Sequence, residues 1–231
     1  MDEHHLSKRL SRVAAYIPKQ SRVADIGADH AYLAAALVLN GQTNYVVAGE
    51  VARGPYQNAR AEVAAQGLDT QIQVRLADGL DAIKRNDQID TITIAGMGGS
   101  LIAAILERGQ DKFDGVKRLI LQPNVGEERL RQWLVNHRFQ INAEEILEED
   151  GHIYEIIVAE PTIIPIQYDE RELVFGPLLI EKQGSVFKRK WQEVFERENV
   201  ALSQMKTASQ PPAEKIAQFR HRLALIEEVL G

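Results

Sequence analysis

The chain contains no cysteine, which excludes disulfides, thiolate metal sites and a cysteine nucleophile. It has no apolar run long enough to span a membrane, and its first residues, MDEHHLSKRL, lack the apolar core of a secretory leader. A cytoplasmic protein with no membrane partner is expected. No cluster of His, Asp and Glu has metal-ligand spacing; His4 and His5 are adjacent and terminal, a solvated pair, so no metal is expected. The dinucleotide fingerprint G-x-G-x-x-G is missing too, because Asp29 stands where its second glycine belongs and only Gly27 remains. An excess of positive charge is also absent: the formal net charge is −6, which taken whole argues against a nucleic-acid partner.

What is present is an ordinary globular composition, 45% hydrophobic and 26% charged over 231 residues. That length suits one α/β domain with a smaller appendage. The chain is organised around RVADIGADHAYLAAALVL, Arg22 to Leu39. It reads as a buried strand, a sharp turn at Gly27 and a helix of alanine and leucine, the unit with which an open α/β sheet builds a ligand crevice. Gly27 lets the backbone turn and approach a ligand with no Cβ in the way. Asp29 would repel a pyrophosphate and suits a ligand that brings positive charge, such as the ammonium and sulfonium of S-adenosylmethionine. Asp29 reads equally as the N-cap of the helix that follows.

Further strands follow at Asn44–Glu50, Gln71–Leu76, Asp90–Ala95 and Val116–Leu121, with a helix from Pro55 to Gln66. Glu50 ends the second strand 25 positions after Asp25, close to the interval at which an acid meets a ribose diol. Two hydroxyls on one carboxylate make a charge-assisted fork. Asp78 stands at the tip of the third strand, placed to accept from the exocyclic amine of a base or to cap the next turn. The fourth strand runs into a loop, Gly96-Met97-Gly98-Gly99, where a flat substrate can approach the backbone and Met97 offers a polarisable surface. Residues 139–147 and 152–159 read as consecutive strands with no helix between them, an antiparallel hairpin at the sheet edge. A mainly parallel sheet that finishes so is the architecture of class I, Rossmann-like methyltransferases.

Local charge departs from the total. Residues 1–22 carry five bases against two acids. Residues 4–17 read as an amphipathic helix whose polar face bears Lys8, Arg9 and Arg12, either a solvated lid or a basic rim beside the site. After the linker PTIIP the pattern changes to two helices with apolar residues at three- and four-residue steps, joined across Ser209-Gln210-Pro211-Pro212. This predicts a helical coiled-coil hairpin. Its densest basic cluster is Lys188-Arg189-Lys190, and pattern alone leaves a dimerisation arm and an RNA-gripping arm equally open. The division expected is 1–162 for the methyltransferase domain and 163–231 for the helical one.

DIGADHAYLAAALV, GEVARGPYQNAR, ADGL, IAGMGG, LQPN and GHIYEIIVAE, in this order, resemble the bacterial tRNA (adenine-N1)-methyltransferases that modify tRNA position 22. The resemblance covers essentially the whole chain. It implies S-adenosyl-L-methionine as cofactor, tRNA as substrate and 1-methyladenosine as product. It places Asp25, Gly27, Asp29 and His30 around the methionine moiety, Glu50 on the ribose and Val51 beside the adenine. Asp78 and Gly79 would meet the adenine edge, and Ala95, Gly96, Met97 and Gly98 would lie between cofactor and target base. Candidate catalytic groups are Asp29, His30 and Met97; candidate RNA contacts are Arg9, Arg12, Tyr32, Asn124, Lys188, Arg189 and Lys190. AGMG replaces the Asn/Asp-Pro-Pro-Tyr/Phe tetrapeptide of amino-methyltransferases, which agrees with a ring nitrogen as target. Two alternatives stand: a methyltransferase for a small molecule or protein, with the helical hairpin as a dimer arm, and a non-catalytic RNA-binding protein on the same fold. A nicotinamide-dependent oxidoreductase is disfavoured by Asp29.

Overall fold

In the computed structural model, residues 6–207 and 210–231 are described. His4, His5 and Ser209 lie outside them. Two units divide the chain, Met1–Tyr168 and Asp169–Gly231.

The first unit is built on a seven-stranded sheet of order β3-β2-β1-β4-β5-β7-β6. Its strands are β1 (Arg22–Ile26), β2 (Tyr45–Glu50), β3 (Ile72–Leu76), β4 (Thr91–Gly98), β5 (Arg118–Val125), β6 (Phe139–Glu149) and β7 (His152–Pro161). Strands β1 to β5 pair in parallel. β7 inserts antiparallel between β5 and β6, which leaves β6 at the edge. This is the expected Rossmann-like methyltransferase sheet. The central strands are apolar on both faces because helices cover both: Val23, Ala24, Ile92, Ile94, Leu119 and Ile120 are fully buried.

Helix α1 (Lys8–Ala15) starts later than the amphipathic pattern suggests, because the Ser7 hydroxyl caps it by accepting from Leu10 N. Helix α2 (Tyr32–Leu39) is apolar all round, so it is buried from Leu33 to Val38. Helices α3 (Arg53–Ala65), α4 (Gly99–Arg108) and α5 (Glu127–Asn136) complete the layers. The largest departure from the sequence expectation is at β4. It does not end at Ala95 but continues through Met97 and Gly98 with register shifts against β5, while Gly96 adopts φ +81°. Glycine accepts that conformation without a steric cost, so the strand bends and keeps pairing instead of dissolving into a loop.

The second unit contains α6 (Glu170–Phe175), α7 (Leu179–Lys182), α8 (Ser185–Lys206) and α9 (Ala213–Leu230). Helices α8 and α9 bury Leu202, Ile216 and Leu223 together, flanked by Phe195, Met205 and Phe219. Phe175 of α6 meets Trp191 of α8 edge-on at 4.5 Å between ring centroids. Short α6 and α7 carry no long period and are absent from the sequence expectation. Among the described residues, no helix is long and apolar enough to cross a membrane.

Candidate functional site

A cleft of about 340 Å³ opens at the carboxyl ends of β1, β2 and β4, the switch point of the sheet, where open α/β folds bind ligands. Its floor is the turn after β1. The N–H groups of Gly27 and Ala28 donate to the Gly49 carbonyl at 2.9 and 3.3 Å, tying that turn to β2. Gly27 (φ +76°), Asp29 (φ +52°) and Ala31 (φ +58°) are all left-handed. Left-handed residues other than glycine cost about 1 kcal/mol or more each, and here they sit at the mouth of a cleft.

This geometry removes Asp29 as a helix cap. Ala31 occupies the N-cap position of α2 and no side chain bonds there. The Asp29 N–H instead donates to Glu50 Oε1, while its side chain is 70% exposed, with Oδ1 3.9 Å from His30 Nε2. The His30 and Tyr32 rings stack at 5.2 Å and 8°. Asp25 is buried beneath them, and the Thr93 hydroxyl donates to it at 2.9 Å. Burial pushes the Asp25 carboxyl up to about 6; the Thr93 bond opposes this and the nearby Glu50 adds to it. Burial also raises the pKa of Glu50, while the N–H of Asp29 opposes the shift. Three carboxylates thus meet in one cleft, and among the described residues Arg9 is the one arginine or lysine on its lining.

The far wall is the β4 tip. Ala95, Gly96 and Met97 line the cleft, and the Met97 methyl fills the space that a side chain at Gly27 would need. Gly98 lies just outside, 4.0 Å from Val125 as measured from an added β-carbon. Asn124 on β5 donates to the Gly96 carbonyl at 2.9 Å. Thus Asp25, Gly27, Asp29, His30, Tyr32, Glu50, Ala95, Gly96, Met97 and Arg9 come together in one cleft.

Others do not join them. Val51 is 68% exposed and off the lining. Asp78 and Gly79 line a separate hollow, where Asp78 makes no capping bond and instead accepts from Arg108 at 3.2 Å. Arg12 is not a free basic rim: Glu145 of β6 takes it in a fork at 2.7 and 2.8 Å and also accepts from the Tyr16 hydroxyl. Lys188 and Arg189 are exposed on α8, with Arg189 3.7 Å from Glu193, and Lys190 lies over Trp191. Leu10, Leu33 and Pro55 also line the cleft, unmarked in the sequence because apolar helix residues look alike whether they face a core or a ligand. Buried Gln122 was missed as well; its one signal is a polar residue closing the apolar run Leu119-Ile120-Leu121.

The sheet order with its inserted antiparallel strand, and an acidic cleft where a pyrophosphate loop would need glycines, define a class I methyltransferase fold. Residues 23–228 match the family model described as TrmK, tRNA (adenine(22)-N(1))-methyltransferase. A Bacillus subtilis protein named tRNA (adenine(22)-N(1))-methyltransferase is 42% identical over 100% of this chain and 99% of its own length. Streptococcus pneumoniae Sp1610, solved in complex with S-adenosyl-L-methionine, superposes with a TM-score of 0.90 at 45% identity, covering 98% of this chain and 100% of that one. M. capricolum TrmK in complex with S-adenosyl-homocysteine gives 0.85 at 30% identity, with 97% of each chain covered. The chain belongs to the TrmK family.

Proposed function

We propose that this chain transfers a methyl group from S-adenosyl-L-methionine to N1 of adenosine 22 in tRNA, the activity in its family's description. The observation that carries this is the acidic cleft at the switch point of a chain similar to that family from end to end. The cleft fits the cofactor on its donor chemistry. Asp25, Asp29 and Glu50 offer three carboxylates to a ligand bearing ammonium and sulfonium charges, and the left-handed Gly27, with no side chain, lets the Met97 methyl pack against the turn on the cleft's floor. Asp25, Gly27, Asp29 and His30 would hold the methionine end, and Glu50 the ribose diol. Val51, Asp78 and Gly79 would meet the adenine only from the rim. A cytoplasmic location follows from the tRNA substrate.

When bound, the cofactor supplies an electrophilic methyl: adenine N1 forms the new C–N bond with its own lone pair, the C–S bond breaks and sulfur keeps that pair. No proton has to leave before attack, so the protein needs no general base. Its residues contribute orientation and electrostatics. The exposed Asp29 carboxylate stabilises the cationic 1-methyladenine, while the stacked His30–Tyr32 pair and Met97 present flat or polarisable surfaces to the base. Incubating the protein with labelled cofactor and unmodified tRNA, then digesting the RNA, tests the reading. 1-Methyladenosine is the expected product; N6-methyladenosine or unlabelled RNA would refute it.

Asp25 gives the cleft a pH dependence. Its carboxyl rises from an ordinary 3.8 to about 6 in the folded chain, so the native state holds the proton more tightly than the unfolded state. Without ligand, the contribution of Asp25 to stability is fully present below about pH 4 and is lost as pH rises through about 6, by on the order of 3 kcal/mol. A cationic ligand favours the carboxylate, so cofactor affinity rises with pH through about 6. Asp25→Asn flattens both curves, as calorimetry across pH 4.5 to 8 (roughly the span set by the shift) will read.

The exposed cations of α8 are the proposed grip on the tRNA backbone. Changing both Lys188 and Arg189 to Glu is expected to raise KM for tRNA about tenfold or more and to shallow the salt dependence by about one unit of slope per cation. Cofactor affinity stays unchanged. Equal KM values at all salt concentrations would remove α8 from the interface.

A further inference from the structure

Gln122 lies in the last part of β5 with no exposed surface, and its side chain touches every segment that shapes the reacting wall of the cleft. Its Oε1 accepts from the backbone N–H of Gly96 at 2.9 Å and from Arg9 Nη1 at 2.5 Å. Its Nε2 donates to the Pro123 carbonyl at 2.9 Å and to Asn124 Oδ1 at 3.2 Å. The orientation of the amide follows from its neighbours: two donors face one end and two oxygens the other, so rotating it by half a turn would break all four bonds. Asn124 in turn donates to the Gly96 carbonyl. Both polar groups of the Gly96 backbone are therefore tied, directly or through one residue, to a single buried amide.

The tie falls where β4 leaves regular geometry. Gly96 has φ +81°, and the register against β5 shifts on both sides of Met97. A glycine flanked by register shifts has several backbone conformations open to it; the four bonds of Gln122 select one. They also fix Arg9, whose guanidinium lies 5.3 Å from the centre of the Tyr154 ring on its other side. Helix α1 is anchored in the same direction, since Glu149 accepts from the N–H groups of Lys8 and Arg9. One side chain thus couples α1, the β4 tip and the β5 tip.

We propose that Gln122 is a positioning residue for methyl transfer: it holds the Gly96–Gly98 backbone and Arg9 in the one arrangement that presents the target adenine in line with the methyl group. This rests on the methyltransferase reading above. Gln122 is not itself among the residues lining the cleft, though Gly96 and Arg9, which it holds, are; as a positioning residue it is expected to act mainly on the chemical step, with a small change in cofactor affinity. Displacing a reacting group by about 1 Å costs on the order of 100-fold in rate.

Two variants test it in the full-length protein. Gln122→Leu keeps the volume and removes all four bonds. Gln122→Glu keeps the acceptor for Gly96 and Arg9 but cannot, as a carboxylate, donate to Pro123 and Asn124. Gln122→Leu is expected to lower kcat about 100-fold at saturating cofactor and tRNA, with the dissociation constant for S-adenosylmethionine changed by less than about twofold. Gln122→Glu is expected to fall between it and the wild type. Wild-type kcat in Gln122→Leu overturns the proposal, as does a loss of cofactor affinity that matches the loss of rate. If Gln122→Leu does not fold, Gln122→Glu decides: a tenfold or larger loss of kcat (about 1.4 kcal/mol) with cofactor affinity kept supports the role, and wild-type kcat ends it. Wild-type protein assayed alongside separates the two levels, since failure to form 1-methyladenosine there refutes the reaction itself and not the role of Gln122.

Discussion

Glu50→Ala weakens S-adenosylmethionine binding by about 100-fold, equivalent to about 3 kcal/mol for a charge-assisted fork to a diol. The carboxylate is nearly buried, with 6% of the residue exposed, and it stands at the tip of β2 facing the turn after β1. Removing it has a second cost, because the Asp29 N–H then loses its acceptor and the left-handed turn keeps only the Gly27 and Ala28 bonds to Gly49 as its ties to β2. Glu50→Gln separates the two effects. The amide still accepts from Asp29 but has no charge, so the affinity loss is smaller, about tenfold. It also removes the negative neighbour that helps raise the Asp25 pKa, so the pH at which affinity rises moves down from about 6. Titration calorimetry of both variants reads these outcomes. Unchanged affinity in Glu50→Ala would place the ribose elsewhere.

Arg131→Met destabilises the first unit by about 3 to 5 kcal/mol, the usual cost of leaving buried carboxylates without their cation. Arg131 on α5 has no exposed surface. Its Nε donates to Glu144 Oε1 at 2.8 Å and its Nη2 to Glu155 Oε2 at 2.5 Å, and both acids are equally buried. Glu144 lies on β6 and Glu155 on β7, so one guanidinium pins the helix to both strands of the hairpin that completes the sheet. Replacing the whole triad, Arg131→Met with Glu144→Leu and Glu155→Leu, removes the charges together and is expected to recover most of the stability. Urea unfolding followed by tryptophan fluorescence reports the difference. An Arg131→Met protein as stable as the wild type would mean that the triad contributes nothing.

The strand–glycine–helix unit, the succession of strands along the chain and the terminal hairpin were legible in the sequence because each depends on local periodicity and on Gly27 and Pro55 as punctuation; the place of β7 between β5 and β6 was not. What was not legible depends on partners distant in the chain. Ala95-Gly96-Met97-Gly98 looks like a loop because its side chains carry no strand pattern; its strand character comes from pairing with β5. Arg12 reads as a free cation, and only the fold brings it to Glu145, 133 residues away. Asp29 reads as a cap because nothing in an alanine announces φ +58°, yet Ala31 takes that position. Most of the cleft was recognisable as chemistry: the acids at Asp25, Asp29 and Glu50 are unusual where apolar strands end. Its supports were not, since Gln122 acts through a backbone conformation that no residue type encodes.

The most direct measurement is methylation of two tRNA transcripts that differ only at position 22, adenosine in one and guanosine in the other, followed by reverse transcription. A methyl on N1 blocks the pairing edge of the base and stops the polymerase. The account predicts a stop at position 22 in the adenosine transcript and incorporation at background in the other. Equal labelling of both transcripts, or labelling with no stop at that position, would contradict it.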